Sequence, residues 1–180
     1  LESGQAPACF HSCVGRIRYL GLLLYDADRI KETALVPDKD LVEAQRAMIQ
    51  DPFDPEVIAS AKANGLNDKM IDAAQNSPTY KFVKQWQLAL PLHPDFRTLP
   101  MLFYVPPMLP VVARLKDKRY NIAGAESEGL APLLSSLEEA RIPMRFMTSL
   151  FTAGNEEILN AVYRKLIAVR IYKRGQKVKD

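Results

Sequence analysis

Ala8-Cys9-Phe10-His11-Ser12-Cys13-Val14-Gly15-Arg16-Ile17-Arg18-Tyr19-Leu20-Gly21 carries both cysteines of the chain, four positions apart. Soft thiolates hold iron–sulfur clusters because sulfur ligands match iron and its bridging sulfides. A cubane needs four ligands, so this pair cannot build one alone. Three readings of the spacing stay open: ligands shared with other cysteines, two incidental or buried thiols, or half of a zinc site helped by His11. The zinc reading needs a second ligand pair, and none follows at finger-like spacing. After the cysteines the text alternates through Arg16-Ile17-Arg18-Tyr19-Leu20 and then runs Leu22-Leu23-Leu24-Tyr25 up to Asp26. That pattern predicts extended chain or a strand, with Gly21 as a bulge.

Working outward, residues 27–87 read as short helices. Asp54-Pro55-Glu56 supplies a cap, a proline at the first helical position and an acid in the first turn, with Val57, Ile58 and Ala61 on one face. Asn64-Gly65 ends that helix. Asn67-Asp68 caps the next, striped by Met70, Ile71 and Ala74, and Ser77-Pro78 starts a third that carries Tyr80, Phe82, Val83 and Trp86. Residues 41–49 fit a further helix through Leu41, Val42, Met48 and Ile49.

Residues 91–110 hold six of the 13 prolines. Proline lacks the amide donor and fixes φ, so no long helix or central strand is expected here. Leu99, Met101, Leu102, Phe103, Tyr104 and Val105 are interleaved, whereas a flexible linker would be polar. The segment therefore reads as ordered extended chain lying on a partner surface or core. Residues 116–129 read as a polar loop. A helix follows over residues 143–152, closed by Gly154. Another runs from Glu156 and Glu157 to Lys173, Arg174 and Gly175, charged to suit its dipole. Its expected stripe is Ile158, Leu159, Val162, Leu166 and Val169.

At 180 residues and 48% hydrophobic, the chain can bury a core. A net charge of +3, from 24 basic and 21 acidic residues, is too mild to imply nucleic acid. No apolar run reaches the length of a membrane-spanning helix, and two cysteines make no disulfide scaffold. The opening Leu1-Glu2-Ser3-Gly4 reads as text from within a longer protein, without a leader pattern. There is no glycine-rich phosphate loop, nucleophile elbow or carboxylate pair set for acid–base work, so the chain by itself is expected to be non-catalytic.

The blocks around these features resemble one family. The cysteine pair followed by Val14-Gly15-Arg16-Ile17-Arg18 is similar to the last cysteine group of respiratory nitrate reductase beta subunits. So are Leu24-Tyr25-Asp26-Ala27-Asp28-Arg29-Ile30, Leu88-Ala89-Leu90-Pro91-Leu92-His93-Pro94-Asp95-Phe96-Arg97-Thr98-Leu99-Pro100-Met101, Tyr104-Val105-Pro106-Pro107, Thr152-Ala153-Gly154 and Tyr172-Lys173-Arg174. They keep their order over nearly the whole chain. Related architectures serve nitrite oxidoreductase, perchlorate and selenate reductases, and ethylbenzene or dimethyl sulfide dehydrogenases. The stretches beginning at Leu24 and Leu88 incline the reading to nitrate.

The resemblance implies an α+β chain. Residues 1–25 would be the end of a bacterial ferredoxin-like 4Fe-4S module, and residues 26–180 a mostly helical C-terminal extension with long ordered Pro-rich connections. It implies electron transfer through 4Fe-4S clusters, with a 3Fe-4S cluster elsewhere in the full-length subunit. Cys9 and Cys13 would ligate the iron of two different 4Fe-4S clusters, since the fourth cysteine of such a run serves the other cluster. The implied partners are a molybdenum-cofactor catalytic alpha subunit and a haem b membrane subunit, with membrane association through them on the cytoplasmic face. Arg16 and Arg18 either offset cluster charge or are solvated strand residues. His11 and His93 read as packing residues. The alternative is a cluster-free helical interaction domain with incidental thiols.

Overall fold

The computed structural model describes residues 6–107 and 144–177. These residues are mostly helical, with one two-stranded sheet, in keeping with an α+β chain. They divide into two compact units: residues 6–30 with 46–87, and residues 31–45 with 88–107 and 144–177. The predicted loop at 116–129 lies outside the described residues.

In the first unit, α1 (Ala8–His11) is a single helical turn carrying Cys9. The chain then runs without regular structure to Tyr25, which makes an isolated antiparallel bridge with Ile49. Of the two readings of residues 16–25, extended chain or strand, the strand is absent. An extended apolar run becomes a strand only where a partner supplies the ladder, and here pairing is confined to the Tyr25 end: Gln50 N–H donates to the Leu24 carbonyl (2.8 Å) and Asp26 N–H to the Met48 carbonyl (2.8 Å). Gly21 is not a bulge. It is where this run approaches Ser77 and Thr79, so closely that a Cβ there would fall 2.1 Å from the Ser77 Oγ.

Three helices follow as their caps predict. Asp54 Oδ1 accepts from the Glu56 amide at 2.9 Å and starts α4 (Pro55–Ala63). Asn67 Oδ1 accepts from the Met70 amide at 2.9 Å and starts α5 (Asp68–Gln75). Ser77 Oγ accepts from the Tyr80 amide at 3.2 Å and starts α6 (Pro78–Tyr80). Each side-chain oxygen satisfies a first-turn donor that has no partner within its helix. α6 runs on into a π turn over Lys81–Gln85, where the Trp86 amide reaches back five residues to the Lys81 carbonyl at 2.8 Å. Leu24, Met48, Ile49, Ile71, Ala74, Tyr80 and Val83 are buried in this unit. Val57, Ile58 and Ala61 are only half-buried.

In the second unit, α2 (Ile30–Leu35) and α3 (Leu41–Ala47), whose ends cross the unit boundary, precede the proline-rich segment. β1 (Leu90–Pro91) pairs antiparallel with β2 (Phe103–Tyr104), Leu90 opposite Tyr104 and Pro91 opposite Phe103. A two-stranded ladder is all edge, which is where proline is tolerated. Between them, His93 and Arg97 take left-handed backbone on either side of the 3-10 turn Pro94–Phe96. The Arg97 guanidinium reaches the Ala34 and Val36 carbonyls, both at 2.7 Å, and Asp38, clamping this turn to the end of α2.

α7 (Met144–Thr152) closes through Ala153 and Gly154, both at positive φ, and the Gly154 amide donates to the Thr148 carbonyl at 3.0 Å. Asn155 then accepts from the Ile158 amide (3.2 Å) and donates to the Lys39 carbonyl, starting α8 (Glu156–Lys177). The core joins Val42, Leu90, Met147, Phe151, Leu159, Val162, Tyr163 and Ile167. Two expectations for α8 are corrected. Its buried stripe takes in Tyr163 and Ile167 and leaves Val169 exposed, because a helix advances 3.6 residues per turn and the stripe drifts along it. The helix also continues through Gly175 to Lys177, glycine lowering helix stability without ending it.

Candidate functional site

Pro7 stands at the N-cap of α1 at φ −58° and ψ 152°, with no side-chain cap of its own. Cys9 lies on the turn and is exposed; Cys13 follows its end and is half-buried; both are free thiols. The Phe10 carbonyl receives the Cys13 amide at 3.3 Å, and the Cys13 carbonyl receives the Arg16 amide at 3.0 Å. Arg16 adopts φ 47°, uncommon for a residue with a Cβ, and this turns the backbone back past Cys13.

The fold-back lets the backbone N–H of Ile17, and to a lesser degree those of Arg18 and Arg16, act on the Cys13 thiol. These donors, helped by the Arg18 charge, hold the Cys13 thiol below its ordinary range against the opposing cost of burial. The Arg18 guanidinium also donates from Nη1 to the Cys9 carbonyl at 3.0 Å. That contact was not foreseen in the sequence, where Arg18 reads only as a nearby cation.

His11 is exposed beside the pair. Among the described residues, no group of three or more His, Cys, Asp or Glu gathers as a metal site would require. The two cysteines thus offer sulfur ligands without closing a site. His93 stands in the second unit, stacked on Phe96 (ring centroids 4.9 Å apart) with Nδ1 3.5 Å from Asp95 Oδ1. It is placed as a turn residue. Tyr19, Phe82 and Trp86 form a chain of ring contacts in the first unit, each step 5.1 Å between centroids. Tyr25, Tyr80 and Tyr163 have their phenols pushed up to about 12, chiefly by burial.

Residues 108–180 match the family model for the respiratory nitrate reductase beta C-terminal region. The respiratory nitrate reductase 2 beta chain of Escherichia coli K12 is 46% identical over 181 residues, covering 99% of this chain and 34% of the relative. The nitrate reductase beta chain of Bacillus subtilis 168 is 40% identical, covering 97% of this chain and 35% of its own length. Over nearly its whole length the chain is similar to nitrate reductase beta chains. The likeness extends more thinly to the chlorate reductase beta subunit of Ideonella dechloratans, 32% identical over 60% of this chain and 18% of the relative. The chain spans about a third of the length of the nitrate reductase relatives it matches.

Against this family, the cysteine pair with its Arg16–Arg18 fold-back falls in the part of the chain that precedes the matched C-terminal region. Among the described residues no helix is long and apolar enough to cross a membrane.

Proposed function

We propose that this chain is part of the iron–sulfur electron-transfer subunit of a nitrate reductase-type molybdoenzyme. In this reading residues 1–25 end a ferredoxin-like module, and Cys9 and Cys13 each supply one thiolate to the iron of a different 4Fe-4S cluster. The remaining ligands would come from parts of the subunit beyond this chain. The observation that carries the reading is the pair itself: two free, unbridged thiols, one exposed on a helical turn and one half-buried just past its end. That donor set suits a soft metal cluster and fits no complete mononuclear site among the described residues.

When bound, the clusters supply one-electron chemistry. The chain's own residues hold the sulfurs in place, orient amide dipoles toward Cys13 and set the local charge, the means by which a protein adjusts cluster potential. The partners in this reading are a molybdenum-cofactor catalytic subunit and a haem b membrane subunit, with attachment to the membrane through them on the cytoplasmic face. Exposed apolar chain is costly to leave in water, and the connection between β1 and β2 leaves Phe96, Met101 and Leu102 67, 74 and 71% exposed. This supports placing subunit contact there. Nitrate is favoured over chlorate by the greater identity and coverage of the nitrate reductase relatives.

The test uses the full-length subunit in its complex. With the membrane haem pre-reduced, nitrate should reoxidise it rapidly in the parent and at least tenfold more slowly in the Cys13→Ala variant. Equal rates would contradict the relay and favour a cluster-free interaction domain.

A further inference from the structure

α1 is a single turn, so its last carbonyls have no helical partners. The Cys9 carbonyl is one of them. The amide four residues on, that of Cys13, turns instead to the Phe10 carbonyl at 3.3 Å. What reaches the Cys9 carbonyl is the Arg18 guanidinium, nine residues along the chain and 3.0 Å away. The intervening segment is shaped for this: Arg16 takes left-handed backbone and its amide returns to the Cys13 carbonyl at 3.0 Å. Arg18 therefore ties the residue carrying one sulfur to the loop wrapped around the other.

We propose that Arg18 is a positioning residue, which fixes Cys9 relative to Cys13 through the Cys9 carbonyl and sets a positive charge beside the pair. The inference rests on the cluster-ligand reading above. A guanidinium is suited to the task because it is permanently charged and presents several donors in a rigid plane. One N–H can hold the carbonyl while the charge acts on the sulfurs. Adding an electron to a cluster adds negative charge, so a fixed cation nearby favours the reduced state and raises the potential. Arg16 differs: its contribution to the turn is made by its backbone, so its side chain should matter less.

The experiment is a potentiometric titration, followed by low-temperature EPR with iron content measured in parallel. It is run on the full-length subunit in its complex, with Arg18→Gln, Arg18→Lys, Arg16→Gln and Cys13→Ala variants. Arg18→Gln is expected to keep its iron and to lower the midpoint of one cluster. Arg18→Lys, which keeps charge but loses the planar fork, should shift the same cluster the same way by less. Arg16→Gln should leave that midpoint in place. Wild-type midpoints in either Arg18 variant, or equal shifts from Arg16→Gln and Arg18→Gln, would overturn the proposal. Loss of iron in both Arg18 variants would make Arg18 a folding residue and overturn it too. If Gln alone fails to accumulate, the Lys shift decides. Cys13→Ala separates the two levels: parental iron and signals in that variant would sink the ligand reading itself, whatever Arg18 does.

Discussion

Single residues govern how the cysteine segment is held, and Gly21 shows it most sharply. Its place eight residues past Cys13 is defined by contact with the start of α6, where a Cβ would lie 2.1 Å from Ser77 Oγ and 2.8 Å from Thr79 Oγ1. Ser77 is buried and caps α6 through the Tyr80 amide, so it cannot step aside without leaving that amide unpaired. Gly21→Ala is expected to destabilise the fold by about 1–3 kcal/mol through overpacking, with about 1 kcal/mol more if the cap is lost. Denaturant unfolding of the two proteins measures it, and parental stability in the variant would show that the approach is not close. Glycine at this position reads in the sequence as a bulge. Its actual role depends on a residue 56 positions away, and no local pattern carries that information.

At the scale of elements, what was legible is what is encoded within four residues. Asp54, Asn67 and Ser77 announce their helices because a cap is a contact between neighbours, and the structure places each side chain on a first-turn amide. Gly154 closes α7 for the same local reason. Strands are different, because half of a strand is its partner. The run through Leu22, Leu23 and Leu24 looks like a strand, yet only Tyr25 finds a bridge. Conversely, Leu90 and Pro91 pair with Phe103 and Tyr104 inside a segment whose prolines argue against any central strand. The metal-ligand candidates were legible as residue types, through the resemblance of the blocks around Cys9 and Cys13. The turn that presents them was not: α1 follows Pro7, which offers no side-chain cap, and the Arg18 contact depends on a left-handed Arg16 that sequence does not announce.

For the whole molecule, burial couples folding to pH through the tyrosines. Tyr25 and Tyr80 in the first unit and Tyr163 in the second have phenols raised from 10.0 to about 12, with desolvation the leading cause in each. Unfolding returns them to their ordinary range, so the folded state favours the neutral phenol more than the unfolded state does. The stability this contributes is complete below pH 10 and is lost as pH rises from 10 through about 12. Alkaline titration should show tyrosinate absorbance rising together with loss of helical circular dichroism in that window. Tyr163→Phe should move the unfolding midpoint upward. Ionisation of these tyrosines near pH 10 with helix intact would show that they are not buried as described.

In the proposed function, Cys9 and Cys13 serve two different clusters of an electron-carrying subunit. Low-temperature EPR with iron and acid-labile sulfide analysis, on the full-length subunit and its Cys9→Ala and Cys13→Ala variants, tests it most directly. Each substitution is expected to lower the iron content and to perturb a different cluster signal. Parental iron and unchanged signals in both variants, or loss of the same single signal in each, would contradict it.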